Sequence, residues 1–129
     1  MADALDTGPE PIALTVYQND DSDVAWYPFG TDPSDIPGNF SSYNYYIDVW
    51  QGTNFGSLLL TSQMGGQVTT SRDNASGLIT FRFPRSVMLS FAIVDEMRYD
   101  VREVDPSGTD LTLFAGVFSV TVRGSITGT

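Results

Sequence analysis

The sequence predicts an all-β domain, an antiparallel β-sandwich of seven to eight strands. Three observations point to it. Apolar residues alternate with polar ones at a period of two in at least four separate runs. Two strand-like runs, starting at Met97 and Leu111, flank a Pro106-Ser107-Gly108 turn, which is a strong hairpin signal. The strand-like runs follow one another at short spacing with no clear long helix.

Residues 1–11 are small, acidic and proline-bearing without periodic apolar positions, so they read as a flexible arm, with 12–129 as the single sandwich domain. Ile12, Leu14 and Val16 alternate with Ala13, Thr15 and Tyr17 as a first strand. Asn19 to Asp23 turns the chain into a second run around Val24 to Phe29, where Pro28 ends the strand or puts it on an edge. Gly30 to Asn39 is a loop rich in Pro, Gly and Asp. A long strand follows, with Tyr43, Tyr45, Ile47 and Val49 on one face and Asn44, Tyr46, Asp48 and Trp50 on the other. Gln51 to Ser57 is a glycine-containing turn and Leu58 to Met64 the next strand. Gln67 to Thr70 continues it only weakly.

Ile79, Phe81 and Phe83 alternate with Leu78, Thr80 and Arg82 until Pro84 stops the run. Residues 86–97 fit either a buried strand or a short helix capped by Ser86. In the hairpin, Met97, Tyr99 and Val101 face one way and Arg98, Asp100 and Arg102 the other, the latter as a surface ion-pair ladder or the charged rim of an interface. The last run is apolar on both faces: Leu111, Leu113, Ala115 and Val117 oppose Phe114, Phe118, Val120 and Val122. Something must cover the second face. The expected core includes Trp50, Phe81, Phe83, Tyr99 and Phe118, and the expected interface is Leu111, Leu113 and Val117 with Arg98, Arg102 and Arg123.

The composition narrows the chemistry. The chain has 129 residues, enough for one core, and carries sixteen acidic against six basic residues for a formal charge of -10. That balance argues against nucleic-acid binding and against anionic membranes. All the basic residues are Arg, and Lys, His and Cys are absent, which removes disulfides, thiolate or imidazole metal sites and Ser-His triads. The N-terminus lacks the pattern of a signal peptide, so synthesis in a cytoplasm is expected and the sequons at Asn39 and Asn74 read as chance.

Carboxylates concentrate in predicted turns, at Asp20, Asp21, Asp23, Asp32, Asp35, Asp95, Glu96, Asp105 and Asp110, where local backbone bonding explains them. Asn19, Asp21 and Asp23 have the spacing that opens a calcium loop, but Val24 stands where glycine is needed and Gly30 where the bidentate glutamate belongs. Trp26, Tyr27, Tyr43, Tyr45, Tyr46 and Trp50 could form a carbohydrate platform, although aromatics alternating along strands usually make core or cross-strand pairs. Neither a metal nor a cofactor is expected.

Several short motifs carry a resemblance. Ile36-Pro37-Gly38, Tyr45-Tyr46-Ile47-Asp48-Val49-Trp50, Gly77-Leu78-Ile79-Thr80-Phe81, Tyr99-Asp100-Val101-Arg102 and Leu113-Phe114-Ala115-Gly116-Val117-Phe118-Ser119-Val120-Thr121 together resemble small immunoglobulin-like domains of tailed-phage virions, including the domain that begins baseplate upper proteins. The likeness spans about residues 12–127, and it departs at Val122 to Thr127, where many such chains close on Val-Thr-Arg. It implies an immunoglobulin-like sandwich acting as a non-enzymatic virion structural protein. Its partners would be other virion proteins, or copies of itself in an oligomer. Tail, baseplate or fibre attachment is the first expectation, head decoration or a head fibre the second, and a carbohydrate-binding module the alternative.

Overall fold

The computed structural model describes residues 12–52, 57–63 and 66–121. Within them the chain is all-β. Strands β1 (Leu14–Tyr17), β2 (Ser22–Trp26), β3 (Asn44–Gln51), β4 (Leu58–Thr61), β5 (Thr69–Asp73), β6 (Leu78–Phe83), β7 (Met97–Val104) and β8 (Asp110–Thr121) form two sheets. One has five strands in the order β1-β8-β7-β3-β4 and the other three in the order β2-β6-β5. The expected arm, residues 1–11, lies outside the described residues, as do Val122 and Arg123.

Alternation places the core. β6 buries Ile79, Phe81 and Phe83 completely, β3 buries Tyr45, Ile47 and Val49, and β7 buries Met97, Tyr99 and Val101. These side chains join Val16, Leu60, Met88 and Phe118 in one hydrophobic cluster drawn from both sheets. Trp26 on β2 contacts Tyr45 on β3, Phe81 on β6 and Phe114 on β8 at centroid separations of 5.8, 5.5 and 5.2 Å, and Phe83 meets Phe118 at 5.5 Å. Such ring contacts add to the apolar area they bury. Trp50, expected inside, is instead half-buried on the opposite face of β3. Its position is even-numbered in a strand whose odd positions face the core.

The hairpin forms as its turn residues predict. The Asp105 carboxylate accepts from the Ser107 hydroxyl at 2.7 Å and from the Ser107 and Thr109 amides at 3.0 and 2.9 Å, and Gly108 takes the left-handed φ of 91°. The doubly apolar reading of β8 needs correction. Val101 pairs with Phe114 but Arg102 pairs with Thr112, so Leu113 is an extra residue, a β-bulge. The bulge switches the facing of everything before it. Leu113 packs against the core beside Phe114, while Ala115, Val117 and Ser119 after the bulge and Thr112 before it, opposite Arg102, face outward. Leu111, Leu113 and Val117 therefore do not share one face.

Gly116, the glycine of the Leu-x-x-Gly-x-x-x-Val run, has a packing reason to be glycine. A Cβ there would lie 2.3 Å from the Ile12 carbonyl oxygen. This close approach lets Ile12 N donate to Ala115 O at 2.9 Å and Tyr99 Oη donate to Ile12 O at 2.6 Å. The chain then enters β1 parallel to β8, with Leu14 opposite Phe118.

Of residues 86–97, only Met97 joins a strand, as the first residue of β7. A single helical turn, α1 (Arg85–Met88), starts after Pro84 and buries Met88, and the Arg85 amide donates to Asp21 Oδ1 at 2.7 Å. Ser86 therefore sits inside the turn and is not its cap. Arg72 on β5 ties the 40–43 turn to the three-stranded sheet, donating to Tyr43 O and Phe40 O at 2.7 and 2.9 Å with its guanidinium 4.9 Å from the Phe40 ring centre.

Candidate functional site

The outward face of the five-stranded sheet carries an acidic cluster built by strand register. β3 pairs antiparallel with β7 so that Asp48 stands directly opposite Asp100 and Trp50 opposite Arg98. Like charges opposed across a ladder are unfavourable. Both carboxylates are nonetheless buried, Asp48 being 2% and Asp100 9% exposed. Neighbours on the sheet cover them.

The two acids are treated differently. Asp48 accepts from the Thr61 hydroxyl on β4, from Gln63 Nε2 at 3.2 and 3.3 Å, and from Arg102 Nη2 at 3.2 Å. Arg102 uses its other terminal nitrogen on Asp110 at 2.7 Å. Burial works against the Arg102 charge, but Asp110 and Asp48 outweigh it and its pKa is raised. One guanidinium thus serves two carboxylates, and Asp100 is left over. Asp100 Oδ1 is buried and has no hydrogen-bond partner of good geometry. Burial, then the nearby Asp48 charge, push its pKa above the ordinary carboxylate value, with Arg102 and the Trp50 side chain opposing them.

Two adjoining hollows open over Asp100. One, of about 140 Å³, is lined by Trp50, Gly52, Arg98, Tyr99, Asp100, Thr112 and Ala115. The other holds Asp48, Gln63, Arg102 and Asp110, and shares Trp50, Asp100 and Thr112 with the first. Together they make a groove floored by carboxylates and walled by an indole. Among the described residues, no three acidic side chains converge closely enough to hold a metal ion.

The expected interface residues divide. Arg98 and Arg102 lie half-buried on this face, Arg98 opposite Val117, and Val117 is 50% exposed. Leu111 is 54% exposed at the other end of β8, Leu113 packs inward, and Arg123 is outside the described residues. The expected Arg98–Asp100–Arg102 ladder is not a solvated one: Arg102 pairs with Asp48 and Asp110, while Asp100 is buried. Of the expected sugar platform, Trp26, Tyr43 and Tyr45 are engaged in ring contacts of the core, and Tyr46 lies beneath Arg102 at 5.6 Å. Only Trp50 of these borders the groove.

The opposed pair Asp48–Asp100 went unmarked in the sequence. One signal was available: aspartate is disfavoured inside strands, and both residues sit mid-strand between apolar neighbours, in Ile47-Asp48-Val49 and Tyr99-Asp100-Val101. Compared with models of known protein families and with curated proteins, the chain matches none.

Proposed function

We propose that the chain is an immunoglobulin-like β-sandwich of a tailed-phage virion, non-enzymatic, that attaches to other virion proteins as an assembly subunit or homo-oligomer. Tail, baseplate or fibre attachment comes first and head decoration second. The observation that carries the sandwich reading is the strand order. Sheets of β1-β8-β7-β3-β4 and β2-β6-β5 correspond to the variable-type layout, in which the sheet of the last hairpin gains a strand beyond its third. The virion assignment rests on the sequence motifs, and the Gly116 contact with Ile12 gives one of those motifs a structural role.

A binding role also suits the chemistry. Asp48 is occupied by Thr61, Gln63 and Arg102, so it is fixed as an acceptor and poorly placed to act as a base. The turn acids Asp32, Asp73 and Asp105 are held by local backbone and hydroxyl donors. Carbohydrate binding is the second reading, favoured by the Trp50 ring beside the groove. The test of the first is mass spectrometry of gradient-purified particles of the phage that encodes the chain. Its peptides in stoichiometric amount would support the assignment; their absence from intact particles would overturn it.

A further inference from the structure

Resting on the reading of the chain as an assembly subunit and deepening it, we propose that the apolar cleft between β4 and α1 docks a short amphipathic helix of a partner protein, apolar on one side and carrying Lys or Arg at one end. The cleft has a volume of about 440 Å³ and is lined from β4 by Leu59 and Leu60, and from α1 and the residues after it by Val87 and Phe91. No charged residue lines it. Of the seven large apolar residues exposed among the described residues, three, Leu58, Leu89 and Ile93, stand next in the chain to residues that line this cleft. Exposed apolar side chains scattered singly need no explanation, but a concentration of them around an uncharged hollow marks an interaction surface.

Charge and shape select the occupant. The Gly52 amide donates to Glu96 O at 2.7 Å and Gln51 N donates to Ser57 O at 2.9 Å, which brings Asp95 and Glu96 to the Leu58 end of β4. Both acids are exposed, and neither enters a salt bridge among the described residues. Arg85 stands at the other end of the lining segment, where its Nε donates to Asn19 O. A basic residue of the partner is therefore drawn to the Asp95–Glu96 end and away from the Arg85 end, which fixes the direction of the helix. Its apolar stripe fills the cleft. An added strand fits less well: β4 is a four-residue edge strand in which Val49 pairs with Leu60 and Trp50 with Leu58, so Leu59 is an extra residue, and short bulged edges resist strand addition. A second copy repels this one at a charge of -10 and, among the described residues, has no helix longer than the four residues of α1 to offer. A small molecule would lack anchors, because the polar side chains of the lining, Gln67, Ser86 and Ser90, are all exposed.

The experiment is a nuclear magnetic resonance titration of the intact chain with a leucine–lysine peptide of about fifteen residues patterned as an amphipathic helix. A scrambled peptide of the same composition, a leucine–glutamate counterpart and octyl glucoside are the comparators. The expected result is saturable amide shifts confined to residues 58–60 and 85–96, from the patterned leucine–lysine peptide alone. Leu58→Ser with Leu89→Ser should weaken binding about tenfold. Asp95→Asn with Glu96→Gln should weaken it about threefold and remove most of its salt dependence, while Leu111→Ser, exposed on the hairpin, leaves it unchanged. The substituted side chains are exposed, so folding is not at risk, and an unchanged remainder of the spectrum verifies this. Shifts spread over the acidic turns, an equal response to either comparator peptide or to the detergent, no response at all, or shifts at the cleft on diluting the free chain would each overturn the proposal, the last by assigning the cleft to a second copy. The titration uses the isolated chain, so its failure leaves the particle result standing, and absence from particles leaves the binding result standing.

Discussion

The two sheets each carry an arginine–aspartate arrangement on their outward faces, and the two differ in completeness. On the three-stranded sheet, Arg82 of β6 and Asp23 of β2 are paired in register and joined by two parallel bonds, Nε to Oδ1 at 2.7 Å and Nη2 to Oδ2 at 3.0 Å. Both side chains are about half exposed, at 52% and 42%. The hydrogen bond from Arg82, opposed by slight burial and aided by the Arg82 charge, lowers the Asp23 pKa. This pair is satisfied by its own members. On the five-stranded sheet one arginine pairs with both the buried Asp48 and the half-exposed Asp110, and the buried Asp100 beside them has its pKa moved in the opposite direction. A closed exposed pair contributes little to stability, whereas a buried carboxylate with a like charge beside it is a cost to the fold.

The largest effect expected from breaking this contrast is that of Arg102→Leu. It would strand Asp48, whose side chain is 3% exposed, beside Asp100. Because Arg102 itself is partly exposed, the expected loss is about 2–3 kcal/mol, somewhat below that for a fully buried pair. Urea denaturation of the variant checks this. A change as small as that of a surface substitution would mean that water already solvates Asp48.

Asp100→Asn should act the other way. Asp100 has a folded-state pKa above its ordinary 3.8, so its contribution to stability is full below that value and is lost as pH rises through the folded pKa. Near neutral pH the charged carboxylate is therefore a burden, and the asparagine variant should be more stable by about 0.5–1 kcal/mol. The gain should shrink as the medium is acidified towards 3.8 and below. Paired thermal melts near neutrality and in acid read the difference, and a gain that grew on acidification would contradict the assignment.

The smallest effect belongs to the closed pair. Asp23→Ala should leave the melting temperature near neutral pH within the scatter of replicate melts, as is ordinary for exposed ion pairs. The stability that Asp23 does contribute has the sign of a lowered carboxylate. It is present above 3.8 and lost as pH falls through the depressed folded value.

Much of this architecture was legible in the sequence because one-dimensional alternation maps directly onto the two faces of a strand. The inward sets Tyr45, Ile47, Val49 and Ile79, Phe81, Phe83 are read off in this way, as is the Asp105–Thr109 turn. Extending the same rule through Leu113 failed, since a bulge adds a residue and inverts the pattern with no residue type to announce it. Trp50, expected in the core, stands at an even position of β3, whose parity points outward. Residues 86–97 had equal apolar support as a strand or a helix, and the helical turn that opens the segment has at its start a contact no local pattern shows, the Arg85 amide donating to Asp21, distant in sequence. The acidic site was invisible for a similar reason: Asp48 and Asp100 become neighbours only through the register of β3 on β7.

The central claim is that Asp100 is a buried acid left without sufficient positive charge. Carbon-detected pH titration of the aspartate side-chain carboxyls measures it residue by residue. Asp100 should titrate above 3.8 and Asp23 below it, in the same sample and the same experiment. If Asp100 titrated at or below Asp23, the groove would already be neutralised in the free protein, and the account of an incomplete site would be wrong.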